Sequence, residues 1–310
     1  MMNEIQLTNA SLSTMWAANN FRTLDDFFRT YTQLGFQKIE LNHQVSSVML
    51  SQANLDHCQF SSVHEPCPAD IPTKELVERD WLISALDEDK RALGVAAVKK
   101  SIDLAHQLSA PVVIIHCGNI PIDGNDEAKL RGMFKTVETQ SAEYLNVKQR
   151  LEDRRKSLIG PRLQSTKLSL QELIEYAARV NIKLGLENRY HFMDIPSIDE
   201  MDELLALADP SKLGFVYDVG HAQALDRLGF YPHQEWLDQF SSRMIGCHLH
   251  DVIGLTDHYA PGQGEIDFRL IADYLPENAI RTFEVLPGNT LAQLRDGLQL
   301  LIRTGCIRII

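Results

Sequence analysis

A chain of 310 residues, 44% apolar and 7% aromatic, can build one large core, and a β/α barrel routinely uses about 250 residues as one domain. A formal net charge of -12 without any dense Lys/Arg run weighs against a nucleic-acid partner. Five cysteines without a CxxC pair, no basic-then-apolar leader and no apolar stretch near about 18 residues indicate a reduced, cytoplasmic chain with no membrane partner.

In chain order, eight β-type runs alternate with longer helical segments: EIQLT, QKIEL, CQFSSVH, PVVIIH, KLGLE, LGFVYD, MIGCHLH and IRTFEV. Helix starts are marked by Thr23 before LDDFFRTYTQLG, Ser169 before LQELIEYAARV, Ser197 before IDEMDELLALA and Thr290 before LAQLRDGLQLLI. Eight strand-then-helix units predict an α/β fold, a parallel (β/α)8 TIM barrel forming one domain over residues 1–310. Parity assigns Lys183, Gly185, Glu187; Gly214, Val216, Asp218; Met244, Gly246, His248; and Ile280, Thr282, Glu284 to the barrel interior. The bulkier alternates, among them Leu184, Phe215, Ile245 and Phe283, then face the helices.

Two insertions interrupt the rhythm, at about 65–90 after the third strand and 119–168 after the fourth. The second contains EAKLRGMFKTVETQSAEYLNVKQRLEDRRKSL, read as one long, charge-rich amphipathic helix. Both leave the face where barrel enzymes keep their sites, so each is a candidate roof, solvated outer helix or homo-oligomer contact.

Six successive strands finish on a residue able to bind a metal or move a proton: His64, His116, Glu187, Asp218, His248 and Glu284. Any one of these has an ordinary structural explanation, such as a histidine bonded to a carbonyl. Their convergence in one barrel mouth does not, because buried acids need a cation to hold them together, and a divalent ion meets that need. In YDVGH, a glycine between Asp218 and His221 lets the strand end bend so that both face one cavity. In HLHD, His250 and Asp251 are candidates to support the ligands from behind. His258, in the polar loop DHYAPGQGEID, is positioned to reach over the mouth.

The segments GFQKIEL, SVHEP, IIHCG, LGLENR, YDVGHA, HLHD, PGQGEIDF and FEV resemble the strand-end motifs of the xylose isomerase-like TIM barrel superfamily, over nearly the whole chain. That superfamily includes sugar and sugar phosphate isomerases and epimerases and the endonuclease IV-type apurinic-site enzymes. The resemblance implies that Glu187, Asp218, His248 and Glu284 ligate a single divalent metal, Mn, Mg, Co or Zn, with His221 a substrate contact or second-metal ligand. It also implies an alternative, the trinuclear zinc site of the apurinic-site enzymes, for which His64, His116, His221 and His258 stand at matching places. There an Asp-x-His pair is expected, but its aspartate position falls on Thr256, with Asp257 displaced by one.

The function expected is metal-dependent isomerisation or epimerisation of a small polyhydroxylated substrate in carbohydrate metabolism, through a metal-stabilised enediolate. Glu187 and Glu284 would exchange the proton, His64, His116 and His221 would bind hydroxyls, and Arg189 would contact a carboxylate or phosphate. A dehydratase or lyase on a keto-sugar or cyclic polyol acid begins with the same proton abstraction. A zinc phosphodiesterase is the third reading, opposed by the acidic charge and the Thr256 position.

Overall fold

The computed structural model describes residues 7–18, 20–121 and 124–309. Eight parallel strands close into a barrel in sequential order: β1 (Ala10–Ser13), β2 (Lys38–Leu41), β3 (Phe60–His64), β4 (Val112–Ile115), β5 (Lys183–Glu187), β6 (Leu213–Asp218), β7 (Met244–Leu249) and β8 (Ile280–Phe283). β8 pairs with both β7 and β1, which completes the ring. Every carboxyl-terminal strand end therefore opens on one mouth, the geometry the alternating pattern predicts.

The first strand is a correction. EIQLT does not enter the barrel: Leu7–Thr8 pairs antiparallel with Arg308–Ile309, and residues 4–6 lie outside the described residues. Its place is taken by ASLS, whose small residues have weak strand propensity but fit the interior. Ser11 Oγ lies 2.9 Å from Thr282 Oγ1, and Leu12 is fully buried in the layer beneath the helices.

Interior parity holds for β5, β6 and β8 but slips in β7. A bulge against β6, where Phe215 pairs with Met244 and Val216 with Gly246, turns Ile245 inward and Met244 outward. Ile245 then packs with Val112, Ile114, Val216 and Ile280 as an apolar floor below the mouth. Gly214 makes room for it, since a Cβ there would stand 2.5 Å from Ile245 Cγ2, and Gly185 makes room for Val216, whose Cγ2 would lie 2.6 Å from a Cβ. Beyond the bulge the alternation resumes, which points His248 into the barrel.

Three of the four helix-start signals hold. Thr23 accepts from Asp26 N, and Ser197 and Thr290 each close a capping box with Glu200 and Gln293. Ser169 does not start a helix. One helix runs from Ala142 to Arg179 through Pro161, and Ser169, deep inside it, donates to the Ile83 carbonyl and accepts from Arg91 Nη1. The single amphipathic helix expected over 127–158 is broken into Asp126–Met133 and the start of this longer helix, which Ser141 caps. The first insertion carries the short helix Thr73–Glu78. All five cysteines are free thiols, and among the described residues no helix is long and apolar enough to cross a membrane.

Candidate metal centre

The mouth gathers the strand-end residues around Glu187. His64 closes β3, His116 follows β4, Glu187 closes β5, Asp218 closes β6, His248 is one residue from the end of β7, and Glu284 follows β8. Ligand atoms of Glu187, Asp218, His248 and Glu284 all lie within 4.8 Å of one another. His248 Nδ1 is the hub, 2.8 Å from Glu187 Oε1, 2.9 Å from Glu284 Oε2 and 3.4 Å from Asp218 Oδ2. Neither His248 Nδ1 nor Glu187 Oε1 has a hydrogen-bond partner in usable geometry, although both are fully buried. Orphaned polar atoms at such a depth are costly unless something bonds them, and a divalent cation among these oxygens and this nitrogen would supply the missing bonds.

Charge supports the same reading. Burial by itself would raise the carboxyl pKa values of Glu187, Asp218 and Glu284, yet the surrounding histidines hold all three well below the usual carboxylate range. His64, His116, His221 and His248 act on Glu187; His221, His250 and His248 act on Asp218; His248 and His258 act on Glu284. Reciprocally, burial would lower His248, but Glu284 and Glu40 push it well above its ordinary value, and Asp257 and Glu284 do the same for His258.

Three further groups share its ligands: His64, His248 and Glu284 within the mouth itself, and two that flank it. His64, His116 and Glu187 form one, with His64 Nε2 3.5 Å and His116 Nε2 3.3 Å from the Glu187 oxygens; Asp218, His221 and His258 form the other. His221 Nδ1 donates to the Asn188 carbonyl at 3.0 Å, which leaves Nε2 facing Asp257 Oδ2 at 3.8 Å. The one-residue displacement of Asp257 is absorbed locally. A register shift between Thr256 and Tyr259 and a left-handed His258 (φ 61°) turn both Asp257 and His258 toward the site, with Asp257 Oδ1 3.0 Å from His258 Nδ1. Thr256 stays exposed.

His250 stands behind Asp218 as the sequence suggests. Its Nδ1 accepts from His258 N at 2.9 Å, so its proton is on Nε2 and points to both Asp218 oxygens, at 3.0 and 3.1 Å. The ring stacks on His258 at 4.1 Å between centroids, and a Cβ on Gly220 would come within 2.2 Å of it, which explains the glycine in YDVGH. Asp251 is a correction. Instead of supporting a ligand, it accepts from Val252 N, Ile266 N and Gly262 N, fixing the glycine-bearing loop, because its side chain lies on the opposite face from His248 and His250. Arg189 pairs with Glu187 Oε2 at 2.5 Å and with Asp194 at 3.5 Å.

Three residues at the site, Glu40, Asn188 and Glu65, escaped the sequence reading, and a fourth, Asp257, entered it only as a displaced aspartate. Glu40 lies under His248, and Asn188 ties the ends of β5 and β6 through Asp218 N and O. Asp257 joins the group of Asp218, His221 and His258, and Glu65 accepts from His116 N, its carboxyl pushed up to about 7 by burial. For Glu40 the signal was available, since strand parity in QKIEL already turns it inward.

A family model described as "Xylose isomerase-like TIM barrel" matches residues 57–303. An inosose dehydratase of Geobacillus kaustophilus is 33% identical over 108 residues, 33% of this chain and 32% of that protein. Across the curated relatives it matches, the chain covers 32% to 56% of their length. Among solved structures, a D-tagatose 3-epimerase-like protein superposes with a TM-score of 0.65 at 20% identity, covering 95% of this chain and 96% of that one. An IOLI protein with a bound zinc atom superposes with a TM-score of 0.64 at 16% identity, covering 95% of both chains.

Proposed function

The chain belongs to the xylose isomerase-like TIM barrel family, and on that premise we propose that it is a divalent-metal-dependent isomerase or epimerase of a small sugar, sugar phosphate or keto-acid. The observation that carries this reading is the set of four ligand atoms from four strand ends within 4.8 Å, two of them buried without a hydrogen bond. The cation held by Glu187, Asp218, His248 and Glu284 would polarise the carbonyl and adjacent hydroxyl oxygens of the substrate, making the neighbouring C–H acidic.

Glu187 and Glu284 then handle the proton. They reach the centre from β5 and β8, and both are ionised, so either can accept a proton from carbon; in epimerisation one would take the proton from one face while the other, having taken up a proton from solvent, would deliver it to the opposite face. His116 is held neutral by burial, Arg189 and His64, and so offers substrate hydroxyls an uncharged hydrogen-bonding partner. A cavity opens beside it, lined by Glu65, Pro66, Leu76, Leu82 and Arg189 among others. Polar groups there suit substrate hydroxyls, Arg189 suits a carboxylate or phosphate, and the first insertion supplies the apolar wall.

Two other reactions remain distinct outcomes of the same experiments. The inosose dehydratase likeness favours elimination after the same proton abstraction. The two flanking ligand groups, together with the inward turn of Asp257, favour additional cations and hence the zinc phosphodiesterase reading, which the charge of -12 still opposes. Incubating the metal-loaded protein in deuterated water with a panel of ketoses, ketose phosphates and keto-acids, and in parallel with abasic DNA, separates them. Carbon-bound deuterium in an isomer or epimer is the expected result. Loss of water from the substrate would assign a lyase, and cleavage of abasic DNA without exchange on any panel member would overturn the proposal.

A further inference from the structure

The sequence motif GFQKIEL contains a carboxylate, Glu40, to which the mechanism above gives no role. Glu40, the penultimate residue of β2, is fully buried inside the barrel, below the ligand oxygens and above the apolar floor. It is held in place from both sides. Ser62 donates to Oε2 at 2.6 Å from β3, and Thr282 donates to the same oxygen at 3.0 Å from β8. Thr282 in turn lies 2.9 Å from Ser11 Oγ on β1, so hydroxyls from three strands form a belt whose centre is this carboxylate.

Among the described residues, one cation-forming group, His248, faces it closely. His248 Nε2 lies 3.2 Å from Oε1 and 3.4 Å from Oε2, while the opposite nitrogen of the same ring, Nδ1, faces Glu187, Glu284 and Asp218. A neutral imidazole carries one proton and one lone pair. With the proton on Nε2 and directed to Glu40, the lone pair on Nδ1 points into the strand-end carboxylates, where a cation would sit.

We propose that Glu40 is a positioning residue for the metal centre: it fixes His248 in the Nε2–H tautomer and raises the basicity of Nδ1 as a ligand. The inference rests on the metal-centre reading above and adds to it a residue that touches neither the cation nor the substrate. A carboxylate behind a metal-bound histidine orients the ring and increases its electron donation, and loss of such a partner weakens metal binding about 10- to 100-fold.

Cobalt(II) titration against a competing chelator tests it, because the bound ion reports both affinity and ligand field. Glu40→Gln keeps the side-chain volume and the oxygen that accepts from Nε2 but removes the charge. The expected result is affinity about 10- to 100-fold weaker than wild type, with a displaced visible absorption spectrum. Thr282→Val leaves the charge in place and should retain the wild-type spectrum with a much smaller loss of affinity. Equal affinity and an identical spectrum for Glu40→Gln would overturn the inference while leaving the metal centre standing. A wild-type protein that takes up no cobalt would overturn both. If Glu40→Gln does not fold, nitrogen-15 NMR of the zinc-loaded wild type decides: a proton on Nε2 with the metal on Nδ1 is expected, and the reverse arrangement refutes the inference.

Discussion

Behind the barrel mouth, Arg155 of the helix Ala142–Arg179 lies buried against Glu200, while in the mouth Glu40, Glu187, Asp218 and Glu284 are buried around His248. The first group is balanced, one cation to one anion. Arg155 Nη2 donates to Glu200 Oε2 at 2.8 Å and to the Asp194 carbonyl at 2.9 Å, and its Nε donates to the Phe192 carbonyl at 2.8 Å. The second group has an excess of acid and leaves Glu187 Oε1, Glu40 Oε1 and His248 Nδ1 without hydrogen bonds. Both groups are about equally buried, so depth does not separate a structural ion pair from a ligand site. Completeness does: the pair behind the mouth needs nothing more, and the cluster within it needs a cation.

Substitutions should therefore act in opposite ways in the two places. The largest effect is expected for Glu284→Gln, which removes both a ligand and a proton acceptor and should lower solvent-deuterium exchange by about 10²- to 10⁴-fold.

Arg155→Met should act on stability instead. It strands Glu200 in a buried position and should cost about 3–5 kcal/mol of stability in denaturant unfolding, with metal stoichiometry unchanged. If that variant lost metal instead, the two groups would be coupled and the contrast between them would fail. His250→Phe keeps the stack on His258 but cannot donate to Asp218, so metal affinity should fall about 10- to 100-fold in the same chelator competition. An unchanged affinity would confine His250 to packing.

The most diagnostic effect is that of pH. His248 and His258 have folded values raised above the unfolded value, so their contribution to the cation-free fold is complete below about pH 6.5 and is lost as pH rises through the folded values. Glu187, Asp218 and Glu284 are shifted down, so theirs is present above about pH 4.5 and is lost as pH falls through the folded values. Cation-free protein should be most stable in mild acid, between these limits. A cation displaces histidine protons, so its affinity should rise with pH, about tenfold per unit for each proton released, with a matching proton count from calorimetry in two buffers. An affinity flat from pH 5 to 8 would contradict the assignment of His248 as a ligand.

Much of this was legible in the sequence, for reasons that also mark where legibility ends. The strand-end acids and histidines are visible because hydrophobic runs of β-type stop on them, and Thr23, Ser197 and Thr290 are visible because capping is local. The first barrel strand is not, since Ala10–Ser13 is chosen by the narrow barrel interior and by Thr282, far away in sequence. Ser169 looks like a cap but bonds Arg91 and Ile83 across a packed interface, a tertiary contact that overrides the local signal. Asp257 reaches His221 only because one backbone bulge and one left-handed residue re-aim it, and Asp251 faces its own loop because alternation places it opposite His248. Ile245 was misplaced by the bulge in β7.

The central claim, that the barrel mouth is a divalent-cation site, is tested most directly by anomalous diffraction from crystals of the protein loaded with zinc or manganese, collected at the absorption edge of the metal. The account predicts an anomalous peak within coordination distance of Glu187, Asp218, His248 Nδ1 and Glu284. Crystals with the metal elsewhere, and no anomalous peak among those four side chains, would contradict it.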